Sequence, residues 1–253
     1  MRKDENKNLF ALVGKNISYS FSRKYFTDKF LKLDLKGYEY VNFDIQHIDE
    51  FESKLASHKK VLRGMNVTIP YKLEIFKFLD LIDEEAKKIG AVNTIKITKE
   101  GILKGFNTDV YGFKVSLEPL LQSYHKSALI LGTGGASRAV AYALQSLGIS
   151  YTYVSRKENL EKGILAYSAI SQEVIESNLL IINCTPLGTY PDTNQCPNIP
   201  YHYITKQHLL YDLIYNPLET TFLKRGNERG ALVKNGLEML EQQAERAWQI
   251  WRY

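Results

Sequence analysis

Residues 127–148 read SALILGTGGASRAVAYALQSLG, and they set the class of the fold. Ser127 to Leu131 is a short, unbroken apolar run, the pattern of a strand buried on both faces of a parallel sheet. Gly132-Thr133-Gly134-Gly135 follows at once. Beyond it Ala136, Ala139, Val140, Ala143, Leu144 and Leu147 recur at helical spacing and make one apolar face. Gly148 stands where a helix-ending glycine belongs. Strand, glycine turn and helix in this order open a dinucleotide-binding unit. The helix N-terminus offers free N–H groups and partial positive charge to a pyrophosphate, and the glycines let the backbone approach it. Gly132, Gly134, Gly135 and Ala136 are the candidate cofactor contacts. Ser137 stands where the third glycine of the fingerprint would be, so the flanking strand and helix carry more of the reading than the glycines do.

Outward from this unit the pattern repeats. Tyr111 to Gln122 reads as a helix, Ser150 to Val154 as a strand, and Asn178 to Asn183 and Leu209 to Ile214 as two more apolar strands. Such alternation predicts an α/β sheet. The strand after the glycine turn runs into Ser155-Arg156-Lys157, close to the expected separation of about 20 residues from the glycines. A carboxylate there would bind ribose hydroxyls and repel a 2′-phosphate, whereas a guanidinium binds that phosphate. The cofactor expected is therefore NADP, held by Arg156 with Ser155 and Lys157 assisting. The plain alternatives are a glycine turn that binds nothing and an exposed loop that happens to carry Arg156.

The first part of the chain has a different texture. Leu9 to Gly14, Tyr38 to Asp44 and Gly64 to Ile69 read as strands, and Ile48 to Ser57 as a helix. Pro70 suits a helix's first turn, so a helix is expected from Pro70 to Leu81, with Lys72 in that first turn, where the helix dipole disfavours a cation. Ala91 to Thr98 and Gly101 to Phe106 read as paired strands. A final helix is expected from about Gly236 to Arg252. With 253 residues, 44% apolar and 24% charged, the chain is long enough for two modest domains and is neither disordered nor collagen-like. Its net charge of +5 is too small and too dispersed to argue for nucleic acid. Cys184 and Cys196 make no disulfide framework or metal-ligand set. No run approaches a secretory core or a membrane span, and a cytoplasmic location is expected, with no membrane partner and no metal.

Polar clusters outside the nucleotide unit are candidates for a substrate. Ser18, Ser20 and Ser22 could grip a carboxylate. Asn66 and Thr68 share one face of their strand. Asn93-Thr94 and Asn107-Thr108-Asp109 add amides, hydroxyls and one carboxylate, for which a helix N-cap is the alternative reading. Together with NVTIPYK, GAVNT, GFNTD, GTGGAS, INCTPLG, YDLIYNP and GLEMLEQQA, they give a chain that resembles the shikimate dehydrogenase family almost from end to end.

The resemblance implies two lobes with a cleft between them: a substrate-binding α/β lobe of residues 1–110 completed by a C-terminal helix at 237–253, and a Rossmann-like NADP-binding lobe of residues 111–236. It implies NADPH-dependent reduction of 3-dehydroshikimate to shikimate. Lys72 and Asp109 match the family's catalytic pair. Ser20 and Ser22 match its carboxylate ligands, Thr68, Asn93 and Asp109 its ligands for the ring hydroxyls, and Tyr215 and Gln243 further substrate contacts. Thr185 lies in a matching motif, and Ile214 and Gly236 fall beside the nicotinamide. The chain departs from the family at Arg23, at Glu238, and at Ser155 and Lys157 on either side of Arg156. Alternatives are a quinate/shikimate dehydrogenase of the same fold, with broader substrates or NAD use, a folate-linked dehydrogenase, and a non-catalytic NADP or metabolite sensor. The expected assembly is a monomer or homodimer.

Overall fold

Asn8–Gly14 forms β1, and all but its first residue are buried. The computed structural model of the chain describes residues 7–18 and 20–253; the charged N-terminal residues 1–6 and Tyr19 lie outside them. The chain divides into two compact units, Met1–Thr108 with Ala244–Tyr253 and Asp109–Gln243. The dividing point falls inside the last helix.

The first unit continues with α1 (Phe21–Lys32), β2 (Tyr38–Asp44), α2 (Glu50–His58), β3 (Leu62–Val67), β4 (Leu81–Ile82), α3 (Glu84–Ile89), β5 (Thr94–Ile97) and β6 (Leu103–Phe106). Its sheet runs β2-β1-β3-β5-β6-β4. Parallel β2 and β3 flank β1, while β5 pairs antiparallel with both β3 and β6. Alternation along β1 sends Leu9, Ala11 and Val13 to one core, with Phe43, Phe51 and Ile95, and Phe10 and Leu12 to the other, with Phe26, Phe30, Trp248 and Trp251. The Trp251 indole lies where a Gly64 side chain would be and donates to Ile95 O at 3.0 Å, which ties the end of the chain to the middle of this sheet.

Two features of this unit differ from the sequence reading. The segment after Ser20, to which the sequence pattern assigns no element, is a three-turn helix, α1. The expected helix from Pro70 to Leu81 is only a turn, followed by a short 3₁₀ segment at Glu74–Phe78 and then β4. The Lys72 carbonyl, which a continuing helix would offer to residue 76, instead accepts Val92 N at 2.9 Å. Lys72 therefore does not oppose a helix dipole.

The second unit holds α4 (Asp109–Leu117), β7 (Ser127–Leu131), α5 (Gly135–Ser146), β8 (Ser150–Ser155), β9 (Ile164–Ala166), α6 (Gln172–Ser177), β10 (Leu180–Asn183), β11 (Leu209–Asp212), α7 (Thr221–Asn227), β12 (Leu232–Lys234) and the start of α8 (Leu237–Arg252). Its sheet, β12-β11-β10-β7-β8-β9, is parallel at every pairing, as the apolar runs predict. Strand order reverses between β7 and β10. Gly148 takes φ 72 just past α5. α4 stops at Leu117, earlier than expected, and passes into a 3₁₀ turn at Glu118–Leu120, because Pro119 has no N–H with which to continue the α-helical bonding. Among the described residues no helix is long and apolar enough to cross a membrane.

Candidate functional site

In the first unit the candidates gather at the C-terminal ends of β1 and β3. Thr68 follows β3, its N–H bonded to Val13 O at 2.9 Å and its carbonyl to Tyr71 N at 3.0 Å. Its methyl occupies the space beside Gly14, where an added Cβ would stand 2.5 Å from Thr68 Cγ2 and 2.7 Å from Ile17 Cγ2. Asn93 is buried. Its Oδ1 accepts Thr108 N at 2.7 Å and the hydroxyls of Thr94 and Thr108 at 3.1 and 3.2 Å. Asn66 donates to Thr94 Oγ1 at 3.1 Å and accepts from Tyr40 at 2.8 Å. Burial raises the Tyr40 hydroxyl well above its usual range, against a hydrogen bond from Ser22. A continuous polar network thus joins the start of α1 to the segment ending at Thr108.

Ser20 is the N-cap of α1 and accepts Ser22 N at 3.2 Å; Ser22 lies in the first turn. Both serines thus stand at the N-terminus of α1, the end of the helix that carries partial positive charge. Lys72 is half-buried in the turn after Thr68, held through its carbonyl by Val92.

Asp109, the first residue of the second unit, follows Thr108 directly and is buried. It is the first residue of α4 rather than the cap before it. One turn further on, Gly112 packs against the Met239 carbonyl and Gln243 of α8 so closely that a side chain would overlap them. This crossing brings the helix of Asp109 against the helix of Gln243.

The nucleotide candidates line the C-terminal edge of the second sheet. Gly132 has φ 106, and a Cβ there would meet Thr185 Cγ2 at 3.1 Å and the Cys184 carbonyl at 3.3 Å, so only glycine suits the turn. Gly134 caps α5 without a side-chain bond, no acidic residue lies in that helix's first turn, and open space surrounds the missing side chain. Backbone donors and a cradle without side chains at Gly134 fit a pyrophosphate. Gly135 and Ala136 form the first turn. Ser155 ends β8, and Arg156 and Lys157 are exposed just beyond it. Tyr167 Oη is buried without a hydrogen-bond partner among the described residues. It lies within electrostatic reach of Arg156, and burial pushes it up to about 12. That orphan hydroxyl fits a ligand near the end of β9.

Further along the edge, Thr185 donates from both N and Oγ1 to Asn183 Oδ1, at 3.0 and 2.7 Å. Ile214 N donates to Asp212 Oδ1 at 3.0 Å, and Ile214 O accepts Gly236 N at 3.0 Å. The structure therefore brings Ile214 and Gly236 together, with Tyr215 next in the chain. The sequence reading passed over Tyr40, Asn183 and Asp212. A carboxylate closing the otherwise apolar strand LLYD was the one available signal.

A family model described as the shikimate dehydrogenase substrate binding domain matches residues 12–95. A shikimate dehydrogenase (NADP(+)) of Methanococcus maripaludis strain C6 is 40% identical over 265 residues, covering 98% of this chain and 92% of its own length. Its namesake in Caldanaerobacter subterraneus subsp. tengcongensis is 36% identical over 266 residues, covering 99% and 94%. The crystal structure of shikimate 5-dehydrogenase from Thermus thermophilus in complex with NADP(H) and shikimate superposes with a TM-score of 0.84 at 32% identity, over 96% of this chain and 93% of that one. With relatives this similar over nearly its whole length and the same fold, the chain belongs to the shikimate dehydrogenase family.

Proposed function

We propose that this chain is an NADP-dependent shikimate dehydrogenase, catalysing the reversible reduction of 3-dehydroshikimate to shikimate on the route to aromatic amino acids. The observation that carries the reading is the polar network around Asn93, which ends at Thr108 immediately before Asp109, in a chain that matches enzymes of that name from end to end.

When bound, NADPH supplies the hydride that adds to the C3 ketone. The turn at Gly132, Gly134, Gly135 and Ala136 holds the pyrophosphate at the start of α5. Ser155, Arg156 and Lys157 hold the 2′-phosphate, and Thr185, Ile214 and Gly236 receive the nicotinamide half. Ser20 and Ser22 bind the substrate carboxylate. Thr68, Asn93 and Asp109 bind ring hydroxyls, with Tyr215 and Gln243 as further contacts. Lys72 donates a hydrogen bond to the ketone oxygen, where negative charge grows in the transition state, and delivers the proton; in the reverse direction it acts as base. Asp109 is the carboxylate of the catalytic pair. The free thiols Cys184 and Cys196 suit a reducing cytoplasm.

The test is kcat for NADPH-dependent reduction of 3-dehydroshikimate in the wild-type chain and in Lys72→Ala. Loss of a general acid costs about 10²–10⁴-fold, and that loss is expected here. Turnover of the variant near the wild-type rate would remove Lys72 from the role.

A further inference from the structure

Asp212 closes β11 at the C-terminal edge of the parallel sheet and is fully buried. Three donors from three segments meet its carboxylate: Asn183 Nδ2 at 3.0 Å from the end of β10, Ile214 N at 3.0 Å from the loop after β11, and Thr220 Oγ1 at 2.6 Å from the cap of α7. Among the described residues no cation contributes to its environment, and burial pushes it up to about 6 against those hydrogen bonds. An apolar residue would be the less costly choice for a strand end with only a packing role.

The grip extends beyond the carboxylate. Asn183 passes it to Thr185 through two hydrogen bonds, and Ile214 passes it to Gly236 through its carbonyl. Gly236 in turn packs so tightly on the Leu213 carbonyl that no side chain fits between them. In an open parallel sheet a dinucleotide lies outside the C-terminal strand ends, across the point where strand order reverses, here between β7 and β10. The glycine turn and Arg156 occupy the β7–β8 side. The other half of the dinucleotide therefore falls on the side that Asp212 organises.

We propose that Asp212 is a positioning residue that holds Thr185, Ile214 and Gly236 as one rigid floor for the nicotinamide half of the cofactor. The proposal rests on the cofactor assignment made above. It is tested by titrating wild type, Asp212→Ala and Asp212→Asn with NADPH and, separately, with adenosine 2′,5′-bisphosphate, which carries only the adenosine half; thermal melting establishes that each variant is folded. Asp212→Asn keeps an oxygen for Ile214 N and Asn183 and is expected to bind both ligands as wild type does. Asp212→Ala is expected to weaken NADPH by about fivefold to tenfold, the equivalent of one net hydrogen bond, with the bisphosphate unchanged. Should Asp212→Ala not fold, Asn183→Ala, which cuts the link from the carboxylate to Thr185, is expected to show the same split. A folded Asp212→Ala that keeps wild-type NADPH affinity, or loses both ligands in proportion, overturns the proposal. Wild type binding neither ligand would instead overturn the cofactor assignment.

Discussion

At the scale of single residues, the chain uses buried polar groups as fixings, and two histidines make this testable. His125 accepts Gln122 N on Nδ1 at 3.0 Å, leaving Nε2 to donate to Gln207 O at 3.1 Å. His208 repeats the arrangement with Thr205 N and Ile175 O, at 3.0 and 3.2 Å. Both bonding patterns need the neutral ring, and burial lowers both pKa values below 6.5. The unfolded chain then binds more protons than the folded one as pH falls through 6.5. The stability these residues contribute is present above pH 6.5 and is lost as pH drops toward their lowered values. Asp212 runs the other way: raised from 3.8 to about 6, it favours the fold below pH 3.8 and loses that contribution as pH rises through 6. Thermal melts between pH 7.5 and 5 are expected to show a smaller fall in Tm for the double variant His125→Asn/His208→Asn than for wild type. Equal slopes would contradict the assignment. Neither histidine nor Asp212 stood out in the sequence, because each is held partly by a group far along the chain: Gln207 O for His125, Ile175 O for His208 and Asn183 Nδ2 for Asp212. Arg156 stood out because a guanidinium after the second strand of a nucleotide unit suits a 2′-phosphate, and Lys72 because NVTIPYK matches the family's motif.

At the scale of elements, the parallel sheet was legible because its strands are unbroken apolar runs, and α5 because its apolar positions keep a strict helical period. α1 was not. Its buried residues are only Phe26 and Phe30, and Arg23 and Lys24 sit in a first turn that prefers acids; its N-cap, Ser20, looked like one serine among several. β4, β9 and β12 have only two or three residues each, too few for any period to register. The turn carrying Thr68 and Lys72 reads as the start of a helix because the donor that ends it, Val92 N–H bonding the Lys72 carbonyl, comes from a different part of the chain. Close backbone approach is what places these elements, and that gives a second prediction. Gly14→Ala would press a methyl into Thr68 Cγ2 and Ile17 Cγ2, β-branched groups with little freedom to yield. It is expected to raise KM for shikimate several-fold, at a stability cost of about 1–3 kcal/mol for overpacking, while leaving KM for NADP⁺ near the wild-type value, since the cofactor candidates belong to the other unit. Kinetics with each ligand varied in turn check this, and an unchanged KM for shikimate in the folded variant contradicts it.

At the scale of the whole molecule, the chain divides into two compact units of different texture. The first unit has a mixed sheet with amides and hydroxyls at its strand ends, and the second has a parallel sheet with a glycine turn and a basic residue beyond its next strand. The net charge of +5 needs no nucleic acid to explain it when Arg156, Lys157 and Lys72 stand among the candidates for an anionic cofactor and a developing oxyanion. The central claim is that these residues make an NADP-linked shikimate dehydrogenase in which Arg156 is proposed to set which cofactor is used. The most direct measurement is the initial rate of shikimate-dependent reduction of NADP⁺, with NAD⁺ in parallel, followed by the absorbance of the reduced nicotinamide. A charge-assisted contact from Arg156 to the 2′-phosphate predicts turnover with NADP⁺ that exceeds NAD⁺ by about tenfold or more in kcat/KM. No shikimate-dependent reduction of either cofactor would contradict the account.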